Sequence, residues 1–280
     1  MSLEAITILN GLKAFLKEAG ELGIAIQKTA AQSEKEDYSI VTEADIAISN
    51  LFQKCFAEYL SQPGHMLIDE EVKKNPRDEV LAADYQWIID PIDGTATYAG
   101  GGFFWGIIVS VYRKGEPWVA ATYIPAMRLL YWADESNAHE TRDAFTEHDK
   151  TTLLKAASRP LTRSSQVHMH YEFVKETFAE TPFILVDYWS PLHGGMAAAG
   201  RIACSVFKDS VWDFSAGMVF ATRVGYKMRR IADGKTFTRL NSELITPEWK
   251  LANLMFIGPD ETYAALKPHF HPDLTVATQH

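Results

Sequence analysis

Apolar residues at Ile6, Leu9, Leu12, Leu16, Ala19, Leu22 and Ile26 recur at intervals of three and four, which predicts one long amphipathic helix over residues 3–30. A charged stretch, SEKEDYS, interrupts the pattern. It resumes at Thr42, which reads as the N-cap of a second helix. That helix carries Glu43 and Asp45 in its first turn and Ile48, Leu51, Phe52, Cys55 and Leu60 behind them. Pro63-Gly64 ends it. Apolar runs of strand length then dominate: HMLIDEEV, WIID, and FFWGIIVSVYRKGEPWVAATYIPAMRLLYWA, the last reading as a strand, a Lys-Gly turn and two more strands. The second half is looser. HMHYEFVKETFAET holds a helical stretch, FILVDYW a strand, GGMAAAGRIA a helix opened by its glycines, and WDFSAGMVFATRVG a helix with Asp213 in its first turn. Helices and strands interleave throughout, which predicts a layered α/β or α+β architecture. With no linker in view, the chain is expected to be one domain of two interlocked halves, about 1–150 and 151–280.

A chain of 280 residues can bury about three quarters of its unfolded surface, so its core needs no disulfide or structural metal. Its apolar fraction of 47% and charged fraction of 22% exclude a disordered or low-complexity protein. No run approaches the length of a membrane span, and the first residues lack the basic region and cleavage site of a secretory signal. A net charge of −9 argues against a nucleic-acid partner, because phosphate contacts come from Lys and Arg. Phosphate chemistry stays open to an acidic protein if metal ions supply the positive charge. Cys55 and Cys204 are expected to be buried, reduced thiols, which suits the cytoplasm.

The chemistry concentrates in Asp90-Pro91-Ile92-Asp93-Gly94-Thr95. Asp90 follows the apolar run Trp87-Ile88-Ile89, at the carboxyl end of a strand, where layered α/β folds place their sites. Pro91 cannot donate to a ladder, so the strand is expected to stop there and the turn to bring Asp93 beside Asp90. Gly94 permits close backbone approach, and Thr95 opens a helical turn whose amides suit an anion. Two carboxylates about 4 Å apart repel by roughly 4 kcal/mol at an effective dielectric near 20. Such a pair either shares a proton or binds a cation. Glu70 and Asp213 end similar apolar segments, so four acids could together be neutralised by two Mg²⁺ ions. An oxygen-only set favours Mg²⁺ over Zn²⁺.

The hexapeptide at 90–95 resembles the signature of the inositol monophosphatase-like phosphatases. Trp212-Asp213-Phe214-Ser215-Ala216-Gly217 is similar to the family's second signature, Ser39-Ile40-Val41-Thr42-Glu43-Ala44-Asp45 to its early motif, and Ile68-Asp69-Glu70-Glu71 to its Gly-Glu-Glu motif. The four occur in the family's order. The resemblance implies an α+β fold, a layered αβαβα sandwich. It also implies hydrolysis of a small phosphorylated metabolite with two or three Mg²⁺ ions, inhibition by Li⁺, and a homodimer. Carried over by position, Glu70, Asp90, Asp93, Asp213 and the Ile92 carbonyl would hold the metals. Asp45, Thr95 and Glu70 would be catalytic, the first two orienting and deprotonating the attacking water. The amides of Gly94 and Thr95 would hold the phosphate.

Three departures bear on the substrate. Asp69 replaces the Gly of Gly-Glu-Glu and is expected, as a loop residue, to face water. Between Gly200-Arg201 and Trp212-Asp213 there is no Glu to hold a substrate hydroxyl, and Val206, Phe207 and Lys208 are expected there instead. Arg223-Val224-Gly225-Tyr226 replaces a glycine pair. The metal site therefore reads as complete and the leaving-group pocket as altered, with His193, Gly194 and Lys208 as its candidate lining. Histidinol-phosphatase and 3′(2′),5′-bisphosphate nucleotidase activities remain alternatives on the same centre. A non-enzymatic binding role would not need the intact acid set. His168 and His170 alternate along a predicted strand, a candidate metal pair weighed against a surface or core role.

Overall fold

Ser2 Oγ accepts a hydrogen bond from the Ala5 amide at 3.2 Å and so opens α1 (Leu3–Gln27). The structure, a computed structural model, describes residues 1–28, 32–34, 40–72, 74–157, 160–187 and 190–271, with the backbone alone for 32–34, 40–41 and 190–193. The buried stripe of α1 runs through Ala5, Ile8, Leu12, Phe15, Leu16 and Ala19, whereas Ile6, Leu22 and Ile26 are half-buried. Close packing sets this rotation: a Cβ on Gly20 would stand 2.6 Å from the Tyr123 ring, and one on Gly23 2.7 Å from Trp105. The short antiparallel pair β1 (Gln32–Glu34) and β2 (Ile40–Thr42) leads into α2 (Glu43–Cys55), which starts at the expected Thr42 cap. A break separates it from α3 (Ala57–Leu60).

The first large sheet runs β3 (His65–Asp69), β4 (Tyr85–Asp93), β5 (Gly106–Arg113), β6 (Glu116–Ile124), β7 (Leu129–Ala133), β8 (Ala138–Arg142) and β9 (Lys150–Leu153), in chain order. Helices α4 (Arg77–Leu81) and α5 (Thr95–Ala99) flank β4 in sequence. Lys114 and Gly115, with φ of 51° and 79°, form the tight turn between β5 and β6. Both faces of the central strands are buried, which is why they read as unbroken apolar runs. Trp87, Ile89, Ile107, Val109 and Val111 pack with α1 and α2, while Ile88, Ile108 and Tyr112 belong to the core on the other face.

The second half builds β10 (Gln166–Met169), α6 (Tyr171–Thr177), β11 (Ile184–Val186), α7 (Ser190–Ala198), β12 (Cys204–Phe207) and α8 (Val211–Arg223). It continues with β13 (Lys227–Arg230), β14 (Thr236–Phe237), β15 (Met255–Gly258) and α9 (Asp260–Leu266). Its sheet has the order β11-β10-β12-β15-β13-β14. Helices α7 and α8 lie between the two sheets and touch both. Residues of α6 and α9 cover the outer face of the second sheet with Phe178, Val167, Val206 and Phe256. The order of layers is α1/α2, sheet, α7/α8, sheet, α6/α9: the expected αβαβα sandwich. Helix α7 begins four residues before Gly194, so the glycine pair lies inside the helix rather than at its start. The reason is packing, because a Cβ on Gly194 would stand 2.7 Å from the Gly217 backbone of α8. Cys204 is buried and Cys55 is exposed, contrary to the expectation for Cys55, and both thiols are free. Among the described residues no helix is long and apolar enough to cross a membrane.

Candidate active site

Strand β4 does not stop at Pro91. Its pairing with β5 jumps from Asp90↔Ile108 to Asp93↔Gly106, so three steps on β4 answer two on β5. Residues three apart on a regular strand face opposite sides, and the extra residue of this bulge returns Asp93 to the side of Asp90. Pro91 needs no ladder bond inside a bulge. Gly94 follows with φ 88°, a left-handed conformation that favours glycine, and Thr95 starts α5.

Asp213 comes to these two acids from α8. It is the third residue of that helix, and its Oδ2 accepts the backbone N–H of Ser210 at 2.9 Å in a capping box. Oxygens of Asp90, Asp93 and Asp213 lie within 4.8 Å of one another. Burial raises the Asp90 carboxyl well above the usual range, with the charges of Glu70, Asp93 and Asp213 adding to it. Asp213 is raised for the same first reason, then by Asp209 and Glu70. Asp90 Oδ1 is buried without a hydrogen-bond partner among the described residues. An orphaned oxygen in an all-carboxylate cluster is the environment of a hard divalent cation, and Mg²⁺ fits the donor set.

Glu70 stands at the end of β3, and its amide donates to the Ile89 carbonyl (3.4 Å), which ties the turn to β4. Asp69 does not face water as expected. It is buried, accepts from Ser49 Oγ at 2.6 Å and from the Glu71 amide at 2.9 Å, and so shapes the turn that carries Glu70. Lys74 Nζ donates to the Glu70 carbonyl at 2.8 Å and lies 4.6 Å from the centroid of the Trp212 ring, beside Asp213. It thereby links the two limbs of the acidic cluster. Sequence reading missed Lys74, and no local pattern marks it.

Asp45 is fully buried and, like Asp213, is the third residue of its helix. Its Oδ2 accepts from the Thr42 amide at 2.7 Å and from Thr42 Oγ1 at 2.6 Å. Burial outweighs these bonds and pushes its pKa up to about 6. Thr95 Oγ1 stands 3.5 Å from Asp45 Oδ1 and 2.9 Å from the Ile92 carbonyl. The early motif, the hexapeptide and the second signature therefore converge, although Ser39 lies outside the described residues.

A cavity of about 460 Å³ opens beside Asp213, lined by His170, Tyr171, Asp187, Lys208, Asp209 and Lys250 among others. Lys208 is among the residues that line this cavity. Val206 and Phe207 are not: both are fully buried core residues, because β12 is the central strand between β10 and β15. The polar neighbour is Asp209, a buried carboxylate 3.2 Å from His170 Nε2. Gly194 belongs to the α7–α8 crossing, and the side chain of His193 lies outside the described residues. His168 and His170 do not share a strand face, since β10 ends at Met169 and His170 caps α6. His168 is buried against Ser205, with Nδ1 2.7 Å from Oγ. His170 is pushed up to about 9, chiefly by its hydrogen bond to Asp209 and then by Asp187.

Two sheets enclose a helical layer, and three carboxylates converge there from a bulged strand and a helix N-terminus. The sequence profile of the Inositol monophosphatase family matches residues 4–257. The chain belongs to that family and is a phosphatase, a hydrolase of phosphoric monoesters. It is 25% identical to a fructose-1,6-bisphosphatase/inositol-1-monophosphatase of Aquifex aeolicus, over 78% of this chain and 86% of that one. It is 29% identical to a histidinol-phosphatase of Mycobacterium tuberculosis, over 69% and 75%. A solved IMPase/NADP phosphatase complexed with Mg²⁺ and phosphate shares the fold, with TM-score 0.72, 19% identity, and coverage of 96% and 98%.

Proposed function

We propose that the protein is a Mg²⁺-dependent phosphomonoesterase acting on a small phosphorylated metabolite whose leaving group carries a second anionic group. The orphaned Asp90 Oδ1 among three carboxylates carries the first part of this reading. Glu70, Asp90, Asp93, Asp213 and the Ile92 carbonyl would hold the ions. When bound, divalent cations supply charge neutralisation and water activation for phosphoryl transfer. Asp45 is suited to take a proton: its pKa of about 6 leaves it mostly ionised at neutral pH yet basic enough to accept. Thr95 links that carboxylate to the Ile92 carbonyl and would orient the water, while the Gly94 and Thr95 amides would hold phosphate oxygens.

The second part rests on Lys208 and Lys250. Both line the cavity beside Asp213, and neither side chain has an ion pair among the described residues. Asp209, by contrast, is engaged by His170. A carboxylate or second phosphate on the leaving group would meet the two ammonium groups. A cytoplasmic location, a homodimer, Li⁺ inhibition and two interlocked halves near 1–150 and 151–280 belong to the same reading and rest on family membership and the sequence. The test is phosphate release from inositol 1-phosphate, histidinol phosphate, adenosine 3′,5′-bisphosphate and fructose 1,6-bisphosphate, with Mg²⁺ and with excess EDTA. Release in EDTA overturns the metal dependence. A lead for inositol 1-phosphate or histidinol phosphate overturns the substrate class.

A further inference from the structure

Outside the acidic centre, two imidazoles and a carboxylate meet where β10 and β11 end. We propose that His168, His170 and Asp187 form a second cation site, selective for a divalent transition metal of the zinc type. The parallel register His168↔Val186 brings Asp187 past the end of β11 toward His170. Asp187 Oδ1 lies 2.8 Å from His170 Nδ1 and 4.0 Å from His168 Nε2. One donor atom from each of the three residues falls within 4.8 Å of the others.

The outer sides of both rings distinguish this cluster from a chance grouping. His168 Nδ1 is 2.7 Å from Ser205 Oγ, and His170 Nε2 is 3.2 Å from Asp209 Oδ1. A metal-binding imidazole characteristically donates its far N–H to such a partner, which fixes the tautomer and turns the near lone pair toward the ion. Without a cation, His170 Nδ1 donates to Asp187 Oδ1 at 2.8 Å; a bound ion would displace that proton and take His170 Nδ1, His168 Nε2 and Asp187 Oδ1 as its donors. Tetrahedral bonds of about 2.0–2.1 Å place ligand atoms roughly 3.3 Å apart, between the 2.8 Å and 4.0 Å separations seen here. Two nitrogens and one oxygen suit zinc-like ions, whereas the all-oxygen centre suits Mg²⁺. His170 and Asp187 also line the cavity shared with Lys208, so solvent or a substrate anion can reach the site.

The competing account is a plain ion-pair chain from Asp187 through His170 to Asp209, with no metal. Full-length protein is stripped with chelator, exchanged into excess Mg²⁺ to fill the acidic centre, and titrated with Zn²⁺ by calorimetry and with Co²⁺ by visible absorption. The expected result is a saturable Zn²⁺ site that persists in Mg²⁺, with intense d–d bands for Co²⁺. Asp187→Asn and His170→Gln should each weaken it by about tenfold or more, while Asp93→Asn leaves it unchanged. Both test positions are at least partly exposed, and circular dichroism of each variant precedes its titration. Absence of saturable Zn²⁺ binding in Mg²⁺ overturns the proposal. So does binding that survives both substitutions. Neither result depends on phosphatase turnover.

Discussion

Replacing Asp45 with Asn separates the chemical use of this side chain from its structural cost. Its native pKa is about 6 against an ordinary value of 3.8, which corresponds to about 3 kcal/mol. The sign follows from which state binds the proton more tightly. The native protein does, so stability is greatest below about 3.8, falls as pH rises, and is fully reduced above about 6. Asn at 45 keeps an oxygen to accept from the Thr42 N–H and hydroxyl but never ionises. In EDTA at pH 7.5 the variant should therefore melt higher than the parent, by roughly 6 °C at about 2 °C per kcal/mol. Near pH 4 the two curves should converge. Turnover with Mg²⁺ should fall by about 10²–10⁴-fold, and the acid limb that Asp45 gives the parent's kcat/KM profile should disappear. Calorimetric melts at both pH values beside a pH–rate profile make the measurement. A variant that melts lower at pH 7.5, or one that keeps that acid limb, would refute the reasoning.

Four further outcomes follow from the geometry. Asp90→Asn should abolish the Mg²⁺-induced rise in Tm, which for the parent should reflect about 2.7 kcal/mol at a hundredfold excess over Kd; thermal melts with and without Mg²⁺ check it. Lys74→Met should weaken Mg²⁺ binding several-fold without changing the circular dichroism, and Lys74→Arg should restore part of it, as read by calorimetry. Lys208→Ala should raise KM for a bisphosphate about tenfold, one ion pair's worth near 1.4 kcal/mol, while leaving inositol 1-phosphate hydrolysis nearly unchanged in steady-state assays. Gly194→Ala should cost about 1–3 kcal/mol in urea melts, because its methyl group would stand 2.7 Å from the Gly217 backbone.

The local signals in the sequence carried the fold far. Apolar spacing at threes and fours located α1, Thr42 and Asp213 marked two helix starts, and continuous apolar runs marked β4 to β7, because both faces of those strands are buried. Two motif acids were legible for a local reason as well: Asp45 and Asp213 are held by capping boxes at their own helix starts. What local pattern could not give was anything set by contacts distant in the chain. The bulge at Pro91 depends on pairing with Gly106, and burial of Asp69 depends on Ser49. Gly194 read as a helix start but answers to Gly217, and Val206 read as pocket lining but faces the core. Lys250 reaches the cavity through its bridge to Ser210, a pairing with no signature along the chain.

The two capping boxes have a spectroscopic consequence. The Thr42 amide proton is shared with Asp45, and the Ser210 amide proton with Asp213. Each proton's resonance should move downfield as its carboxylate ionises, since a charged acceptor draws it more strongly than a neutral one. Two backbone signals in a ¹⁵N-correlated spectrum would thus act as voltmeters wired to separate electrodes. One would follow the candidate base and the other the cation-binding cluster, in the intact protein and with no substrate present.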